Sequence, residues 1–155
     1  MSPSTIKSLQ EGKTAVFRLL QYRPRTEYEL RVKLKEKQFE IEVVDQVIEY
    51  FKKIGLVNDR DFAKAWVTSR LNKPFGAVRI KRELYEKGID KETVGSVLQA
   101  LSGEYDELPV IRSLVERKLA HSSRISPEKI KPRIYNFLLR RGFSYSAIKK
   151  VIDNL

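Results

Sequence analysis

The sequence predicts an all-α protein built from three tandem three-helix repeats that form an elongated, curved helical array. Three observations lead there. Apolar residues recur at helical spacing along most of the 155 residues. The apolar pattern repeats with a period of about 50 residues, the mark of stacked modules that share faces. No segment alternates with period two, and the turns lack the Asn-Gly or Asp-Gly of hairpins.

The elements follow in order. Residues 1–12 are polar and read as a flexible N-terminus. Repeat 1 covers 13–57. Its first helix, about Lys13–Arg23, carries Ala15, Val16, Leu19 and Leu20 on one face and ends at Pro24. Thr26-Glu27-Tyr28-Glu29 is a capping box that opens a second helix with Leu30 and Leu34 inward. A third helix, about Glu40–Lys53, buries Val43, Val44, Val47, Ile48 and Phe51, and Gly55 terminates it.

Repeat 2 covers 58–103. Asn58 is an N-cap, Asp59 and Asp61 complement the helix dipole, and Phe62, Ala63, Trp66 and Val67 share a face. Trp66 reads as core. Lys73-Pro74-Phe75-Gly76 is a turn. A second helix places Ala77, Ile80 and Leu84 inward and ends at Gly88. Its projection turns Val78, Arg82 and Tyr85 outward, with Arg79 on the flank. Asp90 caps the third helix. Repeat 3 covers 104–155. Asp106 caps its first helix, with Pro109 in the opening turn, and Ser144 caps its last. Pro132 is expected in a first turn, which puts that helix start near Lys129.

The repeats register residue by residue. A shift of about 50 carries Leu30 to Ile80, Leu34 to Leu84, Phe39 to Ile89 and Val47 to Val97. A further shift of about 54 carries these to Ile134, Leu138, Phe143 and Val151, and Gly88 to Gly142. The joins near Leu56–Val57 and Ser102–Glu104 are too short for flexible linkers.

Net charge is +11 and the pI about 9.8, which points to an anionic partner. The cations sort by helix. The second helices carry +1, +2 and +4 over residues 26–37, 74–87 and 128–141. The third helices carry −2, −1 and +1 over residues 40–53, 90–101 and 144–155. The candidate contact residues are therefore Arg79, Lys81, Arg82, Arg133, Arg140 and Arg141 on second helices, with Arg70 and Lys73 beside them. Arg133 and Arg140 share an outward flank, and Arg141 edges the core.

Several function classes lack their residues. With no cysteine there is no disulfide framework, thiolate nucleophile or Cys-based zinc site. His121 is the one histidine and reads as structural. The phosphate-loop motif Gly-x-x-x-x-Gly-Lys-Ser/Thr is absent. No catalytic constellation, metal set or cofactor motif emerges, so the expectation is a binding protein and not an enzyme. No apolar run is long enough to span a membrane, and the first residues lack a signal-peptide core. A cytoplasmic monomer is expected.

Four motifs carry a resemblance. They are Arg23-Pro-Arg25-Thr26-x-x-Glu29-Leu30 with Lys33-Leu34; Asn58-Asp59-x-Asp61-Phe62-Ala63-x-x-Trp66-Val67-x-x-Arg70; Gly76-x-x-Arg79-Ile80-x-x-Glu83-Leu84-x-x-Lys87-Gly88-Ile89; and Phe137-Leu138-x-Arg140-Arg141-Gly142-Phe143 with Ile148. Together they resemble the RecX family, bacterial regulators of the RecA recombinase, from about Ala15 to the end. Thr26 stands where the family prefers Ser, and Gln38 where it usually has Gly. The resemblance implies three three-helix repeats that bind RecA and the RecA–single-stranded-DNA filament along its groove. It implies restrained filament growth, ATP hydrolysis, strand exchange and repressor co-cleavage. Some relatives also bind DNA directly, and some favour recombination; weak, sequence-independent contact with single- or double-stranded DNA is expected. The alternatives are a direct DNA-binding protein of helix-turn-helix type, against which the acidic third helices count, and a plain helical scaffold.

Overall fold

The computed structural model describes residues 6–102 and 105–155. The start of the N-terminal stretch and most of the Ser102–Glu104 join lie outside the described residues. Nine helices occur among the described residues: α1 (Leu9–Tyr22), α2 (Glu27–Glu36), α3 (Ile41–Lys53), α4 (Asp59–Leu71), α5 (Ala77–Glu86), α6 (Lys91–Ser102), α7 (Glu107–Ala120), α8 (Pro127–Arg140) and α9 (Tyr145–Ile152). They pack as three successive triplets, and the protein is an all-α tandem of three-helix repeats.

Each triplet closes over its own core. Val16, Leu30, Leu34, Val47, Ile48 and Phe51 fill the first. Ala63, Val67, Ile80, Leu84, Val94 and Val97 fill the second. Ile111, Leu114, Ile134, Leu138, Phe143 and Ile148 fill the third. Burying a side chain of this size contributes about 1.5–3 kcal/mol, so each small core suffices only with a neighbour beside it.

The neighbour is joined by one device, used twice. Each second helix ends in the same way: the amides of Phe39, Ile89 and Phe143 reach back to the carbonyls of Leu34, Leu84 and Leu138, around a residue of positive φ. That residue is Gln38, Gly88 or Gly142. The carbonyl just before it then accepts from the preceding repeat. The Thr26 hydroxyl donates to Lys87 O at 2.7 Å, and the Gly76 amide donates to Arg141 O at 2.9 Å. Val78 N–H adds a bond to Gly142 O at 3.1 Å. In the first repeat the Lys7 ammonium donates to the equivalent carbonyl, Lys37 O.

The opening turn of a helix has amides without internal partners, and here the following repeat supplies the acceptor. Glu27 N–H donates to Asp59 at 2.9 Å, and Ala77 N–H donates to Glu107 at 2.9 Å. Asp59 and Glu107 each open the first helix of the next repeat. Partial burial, with the nearby charges of Glu27 and Asp90, pushes the Asp59 carboxyl above its ordinary value despite the Glu27 amide bond. Thr26 is the one fully buried polar side chain among the described residues. Its hydroxyl accepts from Glu29 N–H and donates across the junction, so both roles are used.

This junction explains the glycines. A Cβ at Gly88 would sit 2.3 Å from Tyr28 Cβ, and one at Gly142 would sit 2.1 Å from Arg79 Cβ and 2.5 Å from its backbone N. Gln38, with φ 64°, is exposed and carries its side chain freely.

Two helix starts differ from the sequence expectation. α1 begins at Leu9, ahead of Lys13, because Ser8 and Glu11 form a capping box. α8 begins at Pro127, with Ser126 as N-cap, so Pro132 lies inside the helix and beyond its first turn. A proline at the first helical position pre-sets φ and loses nothing; Pro132 instead leaves one carbonyl of the first turn without its helical partner.

Gly88→Ala should cost on the order of 3 kcal/mol, because it meets both the positive φ and Tyr28. Gln38→Gly should raise stability by up to about 1 kcal/mol, because it relieves only φ. Urea unfolding of the two variants against the parent checks the contrast; equal effects would contradict it.

Candidate cationic interface

The predicted contact residues fall into two groups. Arg70 closes α4, Arg79 rises from the first turn of α5, and Arg141 follows α8. All three guanidinium groups converge on Phe75, at 5.7, 3.9 and 5.5 Å from the ring centroid. The junction makes this possible. Tyr105 donates its hydroxyl to Phe75 O at 2.8 Å, and the Gly76–Arg141 bond holds the Phe75 turn against the third repeat. Arg141 also lies 5.1 Å from the Phe137 ring. Such contacts contribute about 0.5–2 kcal/mol each, more where solvent is excluded.

Glu83 organises the upper part of the cluster. Arg79 Nε donates to one carboxylate oxygen at 3.1 Å, and Trp66 Nε1 donates to the other at 3.0 Å. Arg70 Nε lies 2.9 Å from Glu83, but its N–H does not point along that line, so the contact is coulombic and not a directed bond. Burial pushes the Glu83 carboxyl up; the Arg79 and Trp66 hydrogen bonds and the Arg70 and Arg79 charges outweigh it and hold it below the ordinary carboxylate range. Two of the three arginines, Arg70 and Arg79, thus share one carboxylate, and Arg141 has no acidic partner among the described residues. The local field is positive, and an anion is its natural complement.

Lys87 sits 4.5 Å from the Trp66 ring and pairs with Glu29 at 3.2 Å. Burial raises the Glu29 carboxyl, but hydrogen bonds from Arg23, Thr26 N–H and Lys87 bring it below its ordinary value.

The second group is solvent-facing. Lys73, Lys81, Arg82, Arg133 and Arg140 are exposed. Arg82 approaches Glu86 only at 3.9 Å, and Lys81 lies 5.8 Å from the Tyr85 ring. Lys73, Arg133 and Arg140 make no ion pair among the described residues. The projection places Val78 correctly, at 58% exposure, but Tyr85 is half-buried against the core of the second repeat and not outward. Trp66 is half-buried rather than enclosed: one part packs on that core, while its nitrogen serves Glu83. His121 is exposed, its Nδ1 2.7 Å from Arg117 O.

Sequence reasoning left Phe75, Glu83 and Lys87 out of the site. Their signal was present: an aromatic within a turn, one acid four residues after Arg79, and a lysine beside the closing glycine.

Glu83→Gln should lower stability by about 1–3 kcal/mol at neutral pH, since it leaves Arg70 and Arg79 without a counter-charge. A carboxylate held low contributes its stability above the ordinary Glu range and loses it as pH falls through the lowered value. The gap between parent and variant should therefore close on acidification. A gap independent of pH would contradict this role.

Comparison with known proteins places the chain. The patterns that define the first, second and third three-helix domains of RecX match residues 13–51, 58–98 and 104–152. A Finegoldia magna protein named Regulatory protein RecX is 35% identical over 134 residues, which cover 85% of this chain and 65% of that relative. This chain thus spans just under two thirds of the relative's length. A Thermobifida fusca protein of the same name is 35% identical over 137 residues, covering 87% of this chain and 73% of the relative. The crystal structure of RecX from Lactobacillus salivarius superposes with a TM-score of 0.84 at 26% identity, covering 95% of this chain and 96% of that one. The chain belongs to the RecX family of regulatory proteins.

Proposed function

We propose that this protein binds a RecA recombinase and its filament on single-stranded DNA and restrains it, acting through binding and without catalysis. The observation that carries this reading is the match of all three repeats to the RecX domains. The physical features agree. A stack whose joints are hydrogen-bonded and glycine-tight presents its side chains at fixed spacing, which suits a regular, repeating partner. Its excess of 11 positive charges suits a filament that carries nucleic acid.

In this reading the exposed Lys73, Lys81, Arg82, Arg133 and Arg140 make the anionic contacts. Arg70, Arg79 and Arg141 shape the surface, and among the described residues Arg141 alone of the three has no carboxylate partner. DNA contact is through phosphates and is blind to sequence. The protein works as a monomer in the cytoplasm, and the outcome is less ATP hydrolysis and strand exchange.

The test is recombinase ATP hydrolysis on single-stranded DNA with this protein titrated in. The rate should fall well below one copy per recombinase, and Arg82→Ala/Arg140→Ala should weaken the fall without changing the melting curve. Loss of activity only once the DNA itself is saturated would favour direct DNA binding. No loss at any ratio would overturn the reading.

A further inference from the structure

The junction between the first two repeats leaves an open groove of about 410 Å³. Its floor is Pro24, Leu56, Phe62, Ala65 and Trp66, and its rim includes Arg23, Arg25 and Asp61. The volume lies within the ~300–1,000 Å³ range of sites that take organic ligands or peptide side chains. Leu56, 51% exposed, also lines a second groove of about 340 Å³ with Lys13, Phe17, Tyr50 and Ile54. Phe17 is 52% and Ile54 49% exposed. One apolar track thus runs from α1 to α4, and nothing in the described chain covers it.

Two cations that border the track have no acidic partner among the described residues. Lys13 rests over the Tyr50 ring at 3.9 Å and makes no ion pair among the described residues. Arg25 is the sharper case: its Nε is out of solvent and has no hydrogen-bond acceptor. The Arg25 side chain as a whole is half-buried and makes no ion pair among the described residues, so a carboxylate that reaches its guanidinium meets a charge less screened by solvent than one at the open surface. Arg23 is already satisfied by two bonds to Glu29.

The aromatic floor decides what kind of occupant fits. A nucleobase needs a free ring face. Phe62 stacks on Trp66 from one turn before, with centroids 5.9 Å apart and planes at 12°. Arg70 covers it from one turn after, at 4.4 Å, and Lys87 approaches at 4.5 Å. The indole offers the groove an edge, and an edge suits an aliphatic or aromatic side chain rather than a base.

We propose that this track binds an acidic segment of a partner protein that bears spaced apolar side chains. One of these seats on Leu56, Phe62 and the Trp66 edge, and a neighbouring carboxylate accepts from Arg25. The two grooves share Leu56, so apolar side chains close together along one segment can enter both. The proposal rests on the reading that the partner is a recombinase filament, and it names the protein-binding face as distinct from the cationic surface of α5 and α8.

The experiment places a benzophenone amino acid at Ser69, an exposed position on the groove, and irradiates the full chain with recombinase filaments on single-stranded DNA. The expected adduct is to recombinase polypeptide, within a segment rich in acidic and apolar residues. Arg25→Glu should weaken filament binding by about tenfold or more, and Arg25→Lys by less. Leu56→Glu, on an exposed loop, should do likewise with an unchanged melting curve. An adduct to DNA, or no adduct and wild-type affinity in Arg25→Glu and Leu56→Glu while binding persists, would overturn the proposal and leave the recombinase reading intact. Failure of the unsubstituted chain to bind filaments would overturn both.

Discussion

One carbonyl position governs how this protein is put together. Each second helix ends by turning a residue into positive φ, and that turn presents the preceding carbonyl outward: Lys37 O, Lys87 O and Arg141 O. In all three repeats something donates to it. In two of them the donor is the opening turn of the previous repeat's second helix, and in the first it is the Lys7 side chain. A second pair of bonds runs in the same direction, since Asp59 and Glu107 accept the amides of Glu27 and Ala77 from the same opening turns. Two sets of orphan helix-end groups are matched across one seam, where leaving either buried and unpaired would cost about 1–3 kcal/mol per group. Only glycine permits backbones this close, which is why Gly76 meets Gly142 with no side chain between them.

The cationic cluster follows from that seam. Phe75 sits in the turn that Arg141 O and Tyr105 hold in place, so three arginines from two repeats meet one ring. A loose joint would scatter them. The groove of the first seam has the same origin: Pro24 and Arg25 belong to one repeat, Phe62 and Trp66 to the next, and the Thr26–Lys87 bond sets the distance between them. The array is thus both frame and site, since its binding features lie where repeats join.

Much of this was legible in the residues. The period, the inward apolar sets, the caps at Asn58, Asp90 and Ser144, and the closing glycines all express local rules that act within a few residues. What escaped reading acts across repeats. Asp59 looks like a residue serving its own helix dipole, and it is also the acceptor for Glu27 thirty-two residues earlier. Tyr85 projects outward on an isolated helix, yet the second core reaches it. Gln38 departs from glycine because its turn is exposed, and only the assembled stack reveals that. Pro132 obeys a rule about helix interiors only until Pro127, which suits a first helical position, starts the helix earlier.

The most direct measurement is native-state amide hydrogen exchange at Glu27, Gly76, Ala77 and Val78. Amides at or beside a helix start ordinarily exchange fast, because they have no helical partner. Here each has an acceptor in the next repeat. The account predicts that they exchange as slowly as the core amides of Ile80 and Leu84, in one cooperative unit. Exchange at open-chain rates, with Ile80 and Leu84 still protected, would mean that the repeats are not locked together.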